Sequence, residues 1–418
     1  MTRAGFLTLL CLFLYLLPSL VTAQEQPPFE KDTVYFTSKR KKITIPFKLV
    51  HNLIIIPVQI NNSSSLNFIL DSGVKNTLIT RLYFSDSLNL NTADKIKIQG
   101  LGKGYEVEAL YSSGNIMQMR GIRGENHQVY VLMEDIFNLS MRMGMPVHGI
   151  IGYDIFKNFI VKINYNTEQL TLYRPDAKLR KKKKAEEYPL HIENYKAYVN
   201  ANVRQKNGDT VTVKLVLDTG ASHTVSLYLP TDKRLTLPPK VMEAYLGRGL
   251  GGDIHGKIGR LDAFALGRYE LEDLPASYPD EESIKLAMNI SNRNGNLGSD
   301  ILNRFTVIFD YPHNKLTLIP NSKFKKPFNY NLAGFELSTP LPGTNFYIIA
   351  DVTDNSPAKQ VGLQPGDQLL HINGLDCKDM KLMEVLNLMD SKPGRILRLK
   401  LKRNTQIFDV NLVLQSRI

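Results

Sequence analysis

The chain has 418 residues, 43% of them apolar and 22% charged, proportions of a globular protein that exclude a disordered or fibrous one. Its net charge of +12 is densest in "KLRKKKKAEE", Lys178 to Glu187. No aromatic side chains alternate with these lysines to stack on bases, so a solvated linker is expected there and nucleic-acid binding is not.

Residues 1–23 read as a secretory signal peptide. They carry an early Arg3, an apolar run from Phe6 to Leu20 and a small-residue exit at Val21-Thr22-Ala23. The run is shorter than the roughly 20 residues that span a bilayer. Cleavage and export to the periplasm or extracellular space are therefore expected, with no transmembrane span remaining. Cleavage removes Cys11 and leaves Cys377 alone, so stability is expected from apolar cores rather than from an internal disulfide.

Residues 24–178 and 188–320 read as two copies of one unit, joined by a basic linker at 179–187. In the first copy "LIIIPVQINNSSSLNFIL" is a β-branched run, a polar turn and a second apolar run that ends at Asp71. In the second, "AYVNANVRQKNGDTVTVKLVL" repeats the pattern around Lys206-Asn207-Gly208-Asp209 and ends at Asp218. Each predicts a hairpin whose second strand delivers an acid. Downstream, Gly152-Tyr153-Asp154-Ile155 aligns with Gly298-Ser299-Asp300-Ile301, and "NYNTEQLTL" with "DYPHNKLTL". The acid-to-glycine spacing is 81 residues in one copy and 80 in the other. Between acid and glycine each copy has a glycine-rich stretch, "IQGLGKGYEVEA" and "LGRGLGGDIHGKIG", predicted as flexible hairpins. Shared order and spacing indicate a duplication.

A single Asp-Ser-Gly or Asp-Thr-Gly is a turn signal. Two at matched positions of a repeat suggest paired carboxyls. Like charges at contact distance cannot both ionise easily, so one acid keeps a proton. The charged partner can then take a proton from water while the neutral one hydrogen-bonds the carbonyl oxygen under attack. Ser72 and Thr219 are expected to lock the two loops together. Gly73 and Gly220 allow each loop its sharp turn.

Over residues 45–320 these copies resemble the retropepsin/pepsin-type aspartic proteases. In that family the acidic triplet is followed by an apolar-apolar-glycine motif. Ile150-Ile151-Gly152 and Asn296-Leu297-Gly298 stand in that place. The resemblance implies a mainly β, two-lobed pseudo-dimeric fold, with Asp71 and Asp218 as the catalytic pair and Gly152 and Gly298 beneath the active loops. It implies a flap at Gly100 and Gly102 or at Gly249 and Gly251, no cofactor and no metal, a peptide or protein substrate, and a monomer with an internal pseudo-dimer. The first motif departs from the family pattern at Val74 and Lys75, and Asn296 replaces an apolar residue. Lys75 either points to solvent or sits beside Asp71. The second placement favours a non-catalytic peptide-binding protein.

After a short linker at 321–330, residues 331–418 form a third unit. Its stretch "NSPAKQVGLQPGDQLLHINGLD", followed by a helical "MKLMEVLNLM" and alternating strands, resembles a PDZ domain, a small β-sandwich with short helices. Such a domain implies an extended peptide or chain terminus as ligand. Its groove is expected between "FYIIADV" and the helix near Lys381 to Met389, with Gly343, Phe346, Tyr347 and Ile348 lining it. His148 and His223 flank the acidic motifs without metal-ligand spacing.

Overall fold

The computed structural model describes residues 33–418 apart from 84, 85, 87, 92, 103 and 181. The expected signal peptide at 1–23 lies outside the described residues. The protein is mainly β, with two large sheets, a six-stranded sheet between them and a C-terminal PDZ region.

In the first half, Leu53–Ile60 pairs antiparallel with Leu66–Leu70, Ile55 opposite Ile69. In the second, Lys196–Arg204 pairs with Thr210–Leu217, Tyr198 opposite Val216. β-Branched residues crowd both hairpins, as suits strands packed on two faces. Each acid-bearing strand is then joined by a short later strand. Gly149–Ile151 runs parallel to Leu66–Leu70 and antiparallel to Thr77–Ile79. Gly295–Leu297 does the same between Thr210–Leu217 and Val225–Leu227. The strand ends at the acid because the backbone N–H of Asp71 donates to the Ile151 carbonyl at 2.8 Å and that of Asp218 to Leu297 at 2.9 Å. From there the chain turns out of the sheet.

The halves also share a sheet. Its central pair is Ile160–Asn164 against Phe305–Asp310, antiparallel, with Lys162 opposite Ile308. Lys42–Pro46 closes one edge and Glu186–Pro189 the other. One apolar cluster runs from Ile56 and Leu70 through Phe156 and Phe309 to Leu217 and Val199, so the lobes bury one continuous core. Glu186 and Glu187, expected as the end of the basic linker, already belong to a strand of this sheet. Thr317 opposite Glu187 supplies the partner that the local sequence does not announce. The stretch 321–330 is likewise anchored: Phe328 is buried under the Arg304 guanidinium, 3.3 Å above its ring.

In the C-terminal unit the strand order is Phe335–Ser338, Tyr347–Val352, Gln368–Ile372, Ile396–Arg403, Gln406–Val413, with helix Leu382–Met389 beside it. Its core residues Tyr347, Val385 and Leu399 belong to the same buried cluster as Leu53, Ile69 and Met143 of the first lobe. The PDZ unit is thus packed onto the protease-like body. Cys377 is buried in it, and burial pushes the thiol up to about 12, so it stays protonated and unreactive.

Candidate active site

The two acidic triplets meet at the pseudo-twofold axis. The hydroxyl of Thr219 accepts from the Ser72 backbone N–H at 2.9 Å and donates to the Leu70 carbonyl at 2.8 Å. Ser72 mirrors this, accepting from Thr219 N–H at 3.0 Å and donating to the Leu217 carbonyl at 2.8 Å. Each loop is therefore held by the other half's backbone through four buried bonds. Within each loop a glycine N–H donates to its own acid: Gly73 to Asp71 Oδ1 at 2.6 Å, Gly220 to Asp218 Oδ1 at 3.0 Å.

The carboxyls lie face to face and are fully buried. A Cβ on Gly220 would stand 2.2 Å from Asp71 Oδ2, and one on Gly73 would stand 3.1 Å from Asp71 Oδ1 and 3.4 Å from Asp218 Oδ1. Only glycine leaves room for both groups. Burial first, and then the charge of Asp218, hold the Asp71 carboxyl well above the usual carboxylate range. Burial also pushes Asp218 up, to about 6, against the pull of Lys196 and Arg293. Both shifts favour a protonated carboxyl, and two buried acids in contact cannot both ionise easily. Gly152 and Gly298 lie beneath the loops. A side chain at Gly152 would meet the Asp71 carbonyl oxygen at 1.9 Å, and one at Gly298 the His223 carbonyl oxygen at 2.2 Å.

Lys75 does not enter the gap. Its ammonium sits 4.1 Å above the centre of the Tyr195 ring. A different lysine serves the site: Lys196, nearly fully buried, donates from Nζ to the Gly73 carbonyl at 2.6 Å. Strand register makes it the counterpart of Leu53 in the first half, since Tyr198 faces Val216 as Ile55 faces Ile69. A lysine where the repeat has a buried leucine is the signal that could have found it. Asn296, a polar residue inside an otherwise apolar motif, also reaches the pair: its Nδ2 donates to Asp218 Oδ2 at 2.9 Å.

The histidines flanking the motifs are structural. His148 Nδ1 accepts from the Asn67 backbone N–H at 2.8 Å, and burial lowers its proton affinity. Burial drives His223 down to about 3.

Both glycine-rich stretches expected to supply a flap form hairpins. Ala93–Gln99 with Glu106–Met119 forms the first and Val241–Gly249 with Gly252–Leu266 the second. Their tips touch: Gly251 N–H donates to the Leu101 carbonyl at 2.8 Å, and Tyr105 N–H to Gly251 at 3.3 Å. The tips also exchange side chains between lobes. Leu101, on the first flap, is buried in the second lobe's cluster with Tyr228, Ile254 and Ile258. Leu250, on the second, is buried with Val74, Ile69 and Ile150 of the first lobe.

The strand expected to line the PDZ groove has a strand on each side. Tyr347–Val352 is flanked on both sides, with Ile348 opposite Ser338 on one strand and Gln368 on the other. Gly343 N–H donates to the Gly144 carbonyl of the first lobe at 3.0 Å, and the Tyr347 hydroxyl to Met380 at 2.7 Å. Ile348 is therefore paired on both sides and offers no free strand edge. The edge strand is Phe335–Ser338, whose four residues contain too little apolar alternation to stand out as a strand. Between it and helix Leu382–Met389 opens a cavity of about 320 Å³, its far wall formed by Ser222, Thr224 and Pro275 of the second lobe.

An acid pair cross-locked between two sheet lobes, under two flaps, defines an aspartic-protease-type site. Sequence comparison agrees. The family described as aspartyl protease matches residues 56–155 and 199–301, and a PDZ domain matches residues 348–403. The chain carries an aspartyl protease domain in two segments and a C-terminal PDZ domain. A protein of Borreliella burgdorferi (strain ATCC 35210 / DSM 4680 / CIP 102532 / B31) named "Putative zinc metalloprotease" is 31% identical over 70 residues, 17% of this chain and 16% of the relative. Among the described residues no three His, Cys, Asp or Glu side chains gather as a metal site.

Proposed function

We propose that the protein is an exported aspartic endopeptidase, with Asp71 and Asp218 as its catalytic pair. The observation that carries this reading is the reciprocal Ser72–Thr219 lock, which brings two buried carboxyls together. In the proposed cycle Asp218, ionised, takes a proton from a water whose oxygen bonds to the peptide carbonyl carbon. Asp71 donates its proton to the carbonyl oxygen, giving a tetrahedral diol. Asp218 returns its proton to the amide nitrogen while a diol hydroxyl gives its proton back to Asp71, so the C–N bond breaks, an amine and a carboxylic acid leave, and both acids are restored. Opening of the paired flaps admits an extended peptide, and closure shields it from bulk water. The PDZ unit is proposed to take a second peptide segment or chain end along Phe335–Ser338 by strand addition.

The competing reading, a degenerate fold that binds peptides without cutting them, drew on Lys75. That lysine rests on Tyr195, and the reading loses its support. A peptide library incubated with the protein from pH 3 to 8 tests the proposal: cleavage by the wild type, and none by Asp71→Asn or Asp218→Asn, is the expected result.

A further inference from the structure

The two halves repeat each other closely, yet only one acid has a polar chain behind it. Asn296 Nδ2 donates to Asp218 Oδ2 at 2.9 Å, and Asn296 Oδ1 accepts from the Tyr228 hydroxyl at 2.9 Å. Arg293, itself 1% exposed, donates from Nη2 to that hydroxyl oxygen at 3.3 Å and lies over the tyrosine ring. The tyrosine proton fixes which way the amide points: its oxygen must face the hydroxyl, so its NH2 faces the acid.

Strand register identifies the counterparts in the first half. Asn296 faces Ser226 as Ile150 faces Leu78, so Asn296 corresponds to Ile150, Arg293 to Val147 and Tyr228 to Thr80. Ile150 and Val147 are apolar and fully buried, and Thr80 turns its hydroxyl to the His148 carbonyl. Asp71 Oδ2 has no hydrogen-bond partner among the described residues beyond the facing Asp218 carboxyl. A donor aimed at a carboxylate stabilises its charged form, and here only Asp218 receives one from a side chain.

We propose that Asn296, oriented by Tyr228 and Arg293, is a positioning residue that makes Asp218 the ionised base and leaves the proton on Asp71. The inference rests on the proposed protease reading for its meaning in catalysis, but the order of ionisation can be measured without it. Charged groups that bear on Asp218 are Asp71 across the axis, Lys196 on the hairpin strand and Arg293 ahead of Gly295–Leu297. His223 on its own loop is neutral through burial. Lys196 acts on both acids. The repulsion between the two acids is mutual, whereas among the described residues the Asn296–Tyr228–Arg293 chain stands behind Asp218 alone.

The test is a carbon-13 NMR titration of aspartate carboxyls in the full chain, with Asp71→Asn and Asp218→Asn used for assignment. In the wild type Asp218 ionises at lower pH than Asp71. Asn296→Ile, the first half's own residue, moves the Asp218 midpoint upward by about one pH unit, a tenfold gain in proton affinity. Tyr228→Phe keeps the ring and its packing but releases the amide, moves the midpoint in the same direction by less, and carries the test if Asn296→Ile does not fold. Where peptide cleavage is observed, the acid limb of kcat/KM against pH moves up with the midpoint. A wild type in which Asp71 ionises first overturns the inference, as do variants that titrate like the wild type. Expected titrations in a protein that cleaves no peptide would sustain this inference and sink the protease reading.

Discussion

The active loops of the two halves differ in a way their shared backbone does not. Both end a buried strand in an acid, both receive a glycine N–H, and both are clasped by the opposite hydroxyl. Around Asp71, Val74 and Ile150 are apolar and buried, and the Lys196 ammonium is held on the Gly73 carbonyl. Around Asp218 the side chains are polar, with Asn296, Tyr228 and Arg293 in series. Backbone symmetry brings the carboxyls together. Side-chain asymmetry divides one proton unequally between them, as acid–base hydrolysis requires.

The comparison can be broken most severely at the acids. Asp71→Asn and Asp218→Asn are each expected to lower kcat/KM for a cleaved peptide by two to four orders of magnitude, with unchanged circular dichroism. The same variants should be more stable than the wild type at neutral pH. Both acids have folded-state pKa values above the ordinary one, so their contribution to stability is fully present below about 3.8; that of Asp218 is lost as pH rises through about 6, and that of Asp71 is lost as pH rises through its own raised value. Removing either group should flatten the fall of Tm between pH 4 and pH 8.

Next come the symmetric clasps. Ser72→Ala and Thr219→Ala each delete two buried hydrogen bonds, and each should cost about 2–4 kcal/mol in urea unfolding. Equal costs would support a symmetric clasp. A large difference would show that one half bears it.

Lys196→Met removes a cation that pulls both carboxyls down. The acid limb of the pH–rate profile should therefore move upward, whereas Leu53→Met in the other half should leave it in place. The smallest effect is expected at the residue that looked most troubling. Lys75→Ala breaks only a contact with a half-exposed tyrosine, worth about 0.5–1 kcal/mol, and should change kcat/KM less than twofold.

Much of this site was legible in residue order because it is made of local chemistry. An acid, a hydroxyl and a glycine at the end of an alternating apolar run describe a strand and its turn, and their repetition at a spacing of 81 and 80 residues points to a pair. What escaped depends on distant partners. Lys196 reads as an ordinary strand-end lysine until the fold brings it under Gly73. Leu101 and Leu250 read as residues in flexible turns, yet each is buried in the opposite lobe. Phe335–Ser338 does not stand out as a strand because it has only four residues, beside a longer apolar neighbour. Asn296 was visible as an exception to its motif, but nothing local says that its amide faces Asp218.

The most direct test of the account is the cleavage of a peptide library by the full chain across pH 3 to 8, run beside Asp71→Asn and Asp218→Asn. The account predicts defined products from the wild type, formed only where Asp218 is ionised and Asp71 protonated, and none from either variant. Cleavage by both variants at the wild-type rate, or no product from a folded wild type at any pH, would contradict it.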